Sequence, residues 1–389
     1  MRSLPLKAFA LRYLHKYHDA LQWEGRSRGD PVRLGLRGMN RDLIVVALVI
    51  AAVTAALSPL FGIAILQFLI NGVVVGSIYV LGATGLSLIF SIRKFANFAH
   101  GEFMTFGAYM AFTVNAMWAL DIVYGLVFAI VMTAVLAMIL EFLVFRKLAG
   151  RGPVSLLVAS IGVTIFLQNL VAATYGTDIK QYTLRAVRNI SLYEEGGVQV
   201  LSIPPIRGLL PLGVSIALIV FLHLFLSRTT LGKAMRATAD NPDLARSSGI
   251  KIRNVILWTW AIAGALAGVA GVLLAIVIDV RTNLGFGVLL FVFAAVIVGG
   301  LGSAYGAMVG GLVVGIAQEL SAALLAWLGR PDVIGLEQPN AYRPIAAFLI
   351  MIIVLLIRPG GIAGGKQTGL ATGRRRFRWA KLLARGGDP

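Results

Sequence analysis

The stretch NGVVVGSIYVLGATGLSLIFSIRKFANFAHGEFMTFGAYMAF, residues 71–112, carries the pattern that decides the fold. A long apolar run ends at Arg93 and Lys94, a short polar bend follows, and a second apolar run begins at residue 101. Both runs belong to segments of about 20 residues, the length that a helix needs to cross a bilayer. The stretch therefore predicts two membrane-spanning helices joined at a cationic bend.

The rest of the chain repeats this pattern. Of its 389 residues, 58% are hydrophobic and 13% are charged, and the mean hydropathy is +0.85. These values are typical of membrane proteins, and the alternation of a membrane barrel is absent, so we predict an all-α polytopic membrane protein. About ten transmembrane helices are expected from the apolar runs, near residues 43–61, 64–92, 101–120, 122–145, 154–175, 209–227, 254–277, 286–302, 304–328 and 343–357.

Lys and Arg are distributed unevenly between these spans. The net charge is +18, and with a cytoplasmic N-terminus 28 of the 35 cations fall on cytoplasmic segments and 7 on outer ones. This is the positive-inside pattern and not a nucleic-acid surface, so no nucleic-acid partner is expected. Because the predicted number of crossings is even, both termini are expected in the cytoplasm.

The first 42 residues are polar and basic, and two interpretations of them stay open. An apolar helical face favours a helix that lies on the lipid surface, whereas the basic composition alone fits a disordered tail. The residues of that face are Leu6, Ala10, Tyr13, Leu14, Tyr17 and Leu21.

The bend FANFAHGEF, residues 95–103, sets Asn97, His100 and Glu102 close together. One interpretation is structural: Asn97 caps the next helix, Glu102 lies in its first turn, and a local hydrogen-bonded pair forms. The other is a gate or a pathway lining, with the helix beginning deeper in the membrane, and Asn71 is a further candidate for the pathway. No catalytic residue is assigned, because no nucleophile–base set accompanies His100 and Glu102.

The glycines predict where helices pack. Gly264 and Gly268 lie along one span, and Gly302, Gly306 and Gly310 are spaced as two overlapping GxxxG steps. Such spacing lets two backbones approach closely in lipid. With no cysteine and only four histidines, no metal site, disulfide or cofactor is expected.

The segment TTLGKAMRATADNPDLARSSGIKIRNV, residues 229–255, is the most polar connection between two predicted spans. It predicts a short amphipathic helix, a break at Asn241 and Pro242, a second short helix and a stop at Gly249. A helix pair of this kind favours a docking element for another protein, and the alternative is an ordinary connecting loop.

Three motifs in this order resemble permease subunits of ABC importers for branched-chain amino acids, the LivH type. They are the opening stretch at 71–112, RATADNPDLARSSGI at 236–250, and AVIVGGLGSAYGAMVGGLVVGIAQ at 295–318 followed by RPGGI at 358–362. The resemblance runs from about residue 64 to residue 362. It implies that Arg236, Asp240, Ala245 and Gly249, in a cytoplasmic coupling helix, form the surface that touches an ATPase.

The same resemblance implies the partners and the organisation of the chain. The expected partners are ATP-binding subunits, a second homologous permease subunit, a periplasmic substrate-binding protein and the lipid of a bacterial inner membrane. Residues 63–362 would be the permease domain, preceded by a basic extension at 1–42 and an extra transmembrane helix at 43–62, and followed by a basic tail at 363–389. Neither end has a counterpart in the core family pattern.

Alternative functions remain open at this stage. The stretch GGIAGGKQT, residues 360–368, is not a phosphate-binding loop, because Gln367 stands where that motif needs Ser or Thr and no βα unit surrounds it. The chain is therefore expected to lack an ATPase site, and the resemblance implies a transport subunit and not an enzyme. A related permease for urea, amides or small aromatic or organic acids is the main alternative, followed by an ion-coupled secondary transporter.

Overall fold

The computed structural model describes residues 31–185, 187–195, 198–335, 337–357 and 360–362. The chain divides into two compact units, residues 1–48 and 49–389. Of the first unit, the described residues 31–48 are helical. The apolar face predicted within residues 6–21 and the basic tail lie outside the described residues.

The described chain consists of helices and one β-hairpin. The hairpin pairs β1, Ile190–Glu195, with β2, Val198–Ile203, in antiparallel register. It is a small addition to a helical structure, so the predicted all-α class is confirmed. The α-helices of six or more residues are α1 Pro31–Phe61, α2 Ile65–Arg93, α3 His100–Phe112, α4 Ile122–Leu140, α5 Pro153–Tyr175, α6 Leu210–Arg228, α7 Thr230–Asp240, α8 Pro242–Ser247, α9 Ile252–Val277, α10 Leu284–Gly299, α11 Ala304–Leu328 and α12 Arg343–Ile357.

Six segments of the described chain are long and apolar enough to cross a membrane. One of them, Ile44–Arg93, has 50 residues, and Gly62 with φ +57° interrupts it. The spans predicted at 101–120, 286–302 and 343–357 correspond to the shorter helices α3, α10 and α12. A multi-pass helical protein is therefore confirmed, and the full set of ten crossings is not.

The centre of the bundle in the second unit is α9. It packs against α2, α3 and α4, and most of its apolar window is buried, unlike that of the other long spans. Its Trp260 is fully buried, with its ring centroid 4.7 Å from that of Phe145 and 6.4 Å from that of Phe103. A helix that is apolar all round is expected in this central position.

Glycines bring α2 and α11 into backbone contact. A Cβ at Gly72 would lie 2.7 Å from the Cα of Ile316, and one at Gly311 would lie 2.6 Å from the backbone nitrogen of Val80. Backbone atoms cannot move aside as a flexible side chain can, so these positions accept only glycine without a shift of the helices. This close approach joins the two helices along much of their length.

Four of the five glycines predicted to pack lie in similar seams. A Cβ at Gly264 would lie 2.6 Å from Ala137 Cβ, and a Cβ at Gly268 would overlap the Thr133 side chain. Gly310 lies against the carbonyl of Ala295, and the carbonyl of Gly306 lies against Gly299. Gly302 differs: it precedes α11, has φ +83° and meets its neighbours only at ordinary distances, so it serves a turn.

Candidate functional site

The bend after α2 turns back into the bundle. Lys94, with φ +54°, ends α2, and its N–H donates to Phe90 O at 2.9 Å. The His100 imidazole nevertheless lies beside Gly85, 3.0 Å from where a Cβ at that glycine would be. Gly85 is about 12 Å from Arg93 along the helix axis. Helix α3 therefore begins beside the part of α2 around Gly85 and not beside the end of α2 at Arg93.

Asn97 shapes this bend but is not the N-cap residue of α3. Its Oδ1 accepts a hydrogen bond from the N–H of Ala99 at 3.2 Å, and Ala99 is the residue before the helix. The N–H of Phe98 donates to Ser160 Oγ of α5 at 3.1 Å. Short-range turns of this kind satisfy the backbone where the chain reverses.

His100 and Glu102 do not pair with each other, contrary to the structural interpretation of the sequence. His100 Nε2 lies 2.8 Å from the carbonyl oxygen of Gly82. Glu102 is 1% exposed, and its carboxylate oxygens, like His100 Nδ1 and Asn97 Nδ2, have no hydrogen-bond partner of good geometry within the described chain. The hydroxyl of Thr105 lies near this carboxylate. Buried polar atoms without partners are rare and point to a role beyond packing.

Asn71 lies apart from this cluster. Its Oδ1 accepts a hydrogen bond at 3.0 Å from Gln67, whose Oε1 accepts one at 2.9 Å from the N–H of Ser202 on β2. Asn71 is about 33 Å from Arg93 along α2. The structure thus brings Asn97, His100 and Glu102 together and joins Asn71 to the hairpin at the other end of the helix.

The segment between α6 and α9 folds as the sequence predicts. Thr229 caps α7 by accepting from the N–H of Gly232 at 3.0 Å. Asn241 breaks the helix and caps α8 by accepting from the N–H groups of Asp243 and Leu244 at 3.1 and 3.0 Å. Gly249, with φ +82°, ends the pair. Each helix of the pair thus begins at a capping side chain, and the pair ends at a glycine with positive φ.

The four residues assigned to the coupling surface differ in exposure. Arg236 and Asp240 are exposed on one face of α7, while Met235 and Thr238 are buried on the other. Gly249 is exposed in the final turn, but Ala245 is 3% exposed and anchors α8 to this chain. Leu244, which was not assigned to the surface, is 64% exposed. The exposed surface of the pair therefore includes Arg236, Asp240, Leu244 and Gly249 but not Ala245.

Comparison with known proteins identifies the family. The family model described as "Branched-chain amino acid transport system / permease component" matches residues 68–355. The chain belongs to this family. It is a multi-pass membrane permease component of a branched-chain amino-acid transport system, a transport subunit and not an enzyme.

Relatives of the permease cover the same region. It is 35% identical to the high-affinity branched-chain amino acid transport system permease protein BraD of Pseudomonas aeruginosa, over 77% of this chain and 95% of that protein. It is 33% identical to the corresponding protein LivH of Escherichia coli K12, again over 77% and 95%. It is 26% identical to the permease protein LivM of the same strain, over 73% of this chain and 67% of LivM.

Two ion pairs, one buried and one half-buried, hold helices of the permease together, and sequence reasoning missed both. Arg93 at the end of α2 pairs with Glu141 after α4; their side chains are 12% and 1% exposed. Arg343 Nη1 of α12 lies 3.7 Å from Glu319 Oε1 of α11. A partner of opposite charge lowers the cost of placing a charge within a bundle, and each pair joins two helices.

Proposed function

We propose that the permease imports branched-chain amino acids as one subunit of an ATP-driven transporter. Its partners would be ATP-binding subunits, a second homologous permease and a periplasmic protein that delivers the substrate. The observation that carries this proposal is the match over 95% of the length of BraD and LivH, whose names state that they are permease proteins of branched-chain amino acid transport systems. The likeness to LivM, a different permease protein with the same stated activity, supports a paired second subunit.

The proposed topology places about ten crossings in a bacterial inner membrane, with both termini in the cytoplasm. The distribution of Lys and Arg along the sequence supports this orientation. The division into a basic extension at 1–42, an extra transmembrane helix at 43–62, a permease domain at 63–362 and a basic tail at 363–389 is part of the proposal. The family match at residues 68–355 falls within that permease domain.

Helices α7 and α8 would couple the permease to ATP hydrolysis. Their charged face, with Arg236 and Asp240, would contact an ATP-binding subunit, while Ala245 holds α8 against the permease. Rigid anchoring supports this role, because a rigid pair transmits the closing motion of the ATP-binding subunits to the bundle. The bundle would then alternate between outward-open and inward-open states.

The cluster of Asn97, His100 and Glu102 would act as a gate on the translocation pathway. Its position between α2 and α3, deep in the bundle, and its partnerless polar atoms support this role. In another state of the cycle these atoms would meet water or the polar groups of the substrate. The polar groups without partners would therefore lower the stability of the closed state, and they would contribute to transport when the other state supplies their partners.

Replacement of Glu102 tests the gate. Glu102→Leu is expected to raise the thermal unfolding midpoint, because a buried polar group without partners costs about 1–3 kcal/mol of stability. The same variant is expected to lower leucine uptake about tenfold or more. Glu102→Gln keeps a polar group and is expected to retain uptake within about twofold. Ser215→Ala is the matched control, since Ser215 Oγ is also buried without a partner within the described chain but lies in α6. A less stable Leu variant with normal uptake per folded molecule would make the cluster purely structural.

Reconstitution tests the overall function. The permease, purified with the proteins that accompany it, is placed in liposomes, and uptake of labelled leucine is measured with and without internal ATP. We expect uptake that requires ATP, the co-purified ATP-binding subunits and a binding protein. Uptake of urea or amides but not leucine would transfer the assignment to the related substrate class, and uptake by the permease alone along an ion gradient would overturn the ATP-driven mechanism.

A further inference from the structure

A cavity of about 530 Å³ opens beside the carboxyl end of α9. Its walls come from three segments: the loop after α5, the turn before α6, and the last turn of α9 with the residue that follows. Pockets that bind small molecules have volumes of roughly 300–1,000 Å³. The lining residues relevant to binding are Arg185, Ile206, Arg207, Ala275, Ile276 and Ile278.

The loop that forms one wall is firmly attached to the bundle. Lys180 and Val280 exchange two backbone hydrogen bonds of 2.9 Å. The Tyr182 hydroxyl donates to Ala108 O at 2.9 Å, and the N–H of Thr183 donates to Asn115 Oδ1 at 2.8 Å. These contacts join the loop to α3 and to the connection after α9. The cavity is therefore formed before any ligand arrives, which lowers the entropic cost of binding.

Two guanidinium groups in the wall are available to a ligand. Arg185 and Arg207 are exposed, and neither has a hydrogen bond or ion pair within the described chain. The nearby Asp279 already accepts hydrogen bonds from Arg281 at 2.6 Å and from Gln181 at 3.1 Å. These bonds, together with the charge of Arg207, hold the Asp279 pKa below its ordinary value, so the carboxylate stays ionised. Free guanidinium groups bind carboxylates well, often with two parallel hydrogen bonds.

The end of α9 gives the same cavity a region of opposite polarity, and several aliphatic residues line it as well. Ala275 and Ile276 belong to the last turn of α9, where carbonyl groups give the helix end a partial negative charge that favours cations. Ile206, Ala275, Ile276 and Ile278 present aliphatic side chains to the same space. The cavity thus combines a cationic side, a partly negative side and an apolar surface.

We propose that this cavity is a binding site for the amino acid as it enters the permease. Arg185 and Arg207 would bind the carboxylate, the carbonyl end of α9 would face the ammonium group, and the aliphatic wall would receive the side chain. The arrangement fits a zwitterion with an apolar side chain better than urea, which has no carboxylate, or a dicarboxylate, which has no ammonium group. This inference rests on the proposed function and names the site at which its substrate class is selected.

Photo-crosslinking of the assembled transporter tests the location of the site. L-Photo-leucine, a diazirine analogue of leucine, is irradiated with the purified complex, and the labelled peptides are identified by mass spectrometry. We expect labels within residues 204–207 or 275–278, removed by excess L-leucine but not by urea or by leucinamide, which lacks the carboxylate. Labels only elsewhere, or equal competition by leucinamide, would overturn the proposal.

Substitution of the two arginines tests their role. Arg185→Ala with Arg207→Ala is expected to lower leucine uptake at limiting substrate about tenfold or more, and replacement of both by Lys should recover part of the loss. Arg188→Ala is the matched control, because Arg188 is exposed on the same loop but does not line the cavity. Co-purification of the ATP-binding subunits and docking of the binding protein are measured for each variant.

The outcomes separate this inference from the proposed function. If the unmodified transporter imports leucine and the double alanine variant does so equally well, the cavity proposal fails alone. A loss of binding-protein docking that accounts for the whole loss of uptake also overturns it, because the arginines would then serve docking. If the unmodified transporter imports no aliphatic amino acid under ATP, the proposed function itself fails.

Discussion

We expect that exchanging the two exposed charges on α7, Arg236→Asp with Asp240→Arg, lowers ATP-driven leucine uptake about tenfold or more. The reason is that the exchange would bring like charges together at the interface with the ATP-binding subunit, which costs several kcal/mol. Both residues lie on the exposed face of α7, four positions apart. The exchange keeps the net charge, and it is measured by uptake and ATP hydrolysis in proteoliposomes. Folding of α7 should not suffer, because the exchange puts the anion nearer the start of the helix and the cation at its end, as the helix dipole favours.

A matched exchange at another exposed position controls for nonspecific effects. Arg330 and Asp332 are exposed in the segment after α11, and Arg330→Asp with Asp332→Arg is expected to leave uptake unchanged. If the α7 exchange supports normal coupled uptake, the coupling role of α7 fails. If it abolishes membrane insertion as well as uptake, the two charges serve folding and not docking.

Replacement of Glu141 by Leu is expected to destabilise the permease by about 3–5 kcal/mol, because it leaves the charge of Arg93 without its partner inside the bundle. The paired side chains are 12% exposed for Arg93 and 1% exposed for Glu141. The effect is measured as the loss of folded protein and the fall in thermal unfolding midpoint after extraction into detergent.

The double substitution Arg93→Leu with Glu141→Leu should recover most of this loss, since apolar residues of similar volume often replace a buried pair at little cost. Asp178→Leu is the control for an exposed pair. Its carboxylate lies 3.6 Å from Lys180 Nζ and its side chain is 84% exposed, so a change of about 0–1 kcal/mol is expected. A single Glu141→Leu variant as stable as the unmodified chain would show that the pair contributes nothing.

Local features of the permease were predictable because their causes are local. The helix pair at 229–255, its break at Asn241 and Pro242 and its stop at Gly249 all follow from residue types within a few positions of each break. The depth of His100 was not predictable in this way. The cations Arg93 and Lys94 mark the end of α2, but the contact of His100 with Gly82 depends on how the bend folds back against a helix already passed.

Pairing between distant residues was equally hidden. Arg93 and Glu141 are separated by 48 positions, and nothing near either residue identifies the other. The different roles of Gly302 and Gly310 were also hidden. Both glycines fit a packing motif in the sequence, but Gly302 lies in a turn because α11 begins only at Ala304. Spacing along the chain defines a helical face only after the ends of the helix are known.

The sequence by itself determined that this is a helical membrane permease, where its apolar helices lie, and that residues 229–255 form a capped helix pair. Those features depend on composition, length and short-range hydrogen bonding, which neighbouring residues specify. Only the tertiary structure decided that Ala245 is buried while Arg236 and Asp240 remain available, that Glu102 has no partner in the described chain, and that two arginines and the end of α9 line one cavity. These features arise where helices distant in sequence meet, and in a bundle held together by close backbone packing no single segment contains that information.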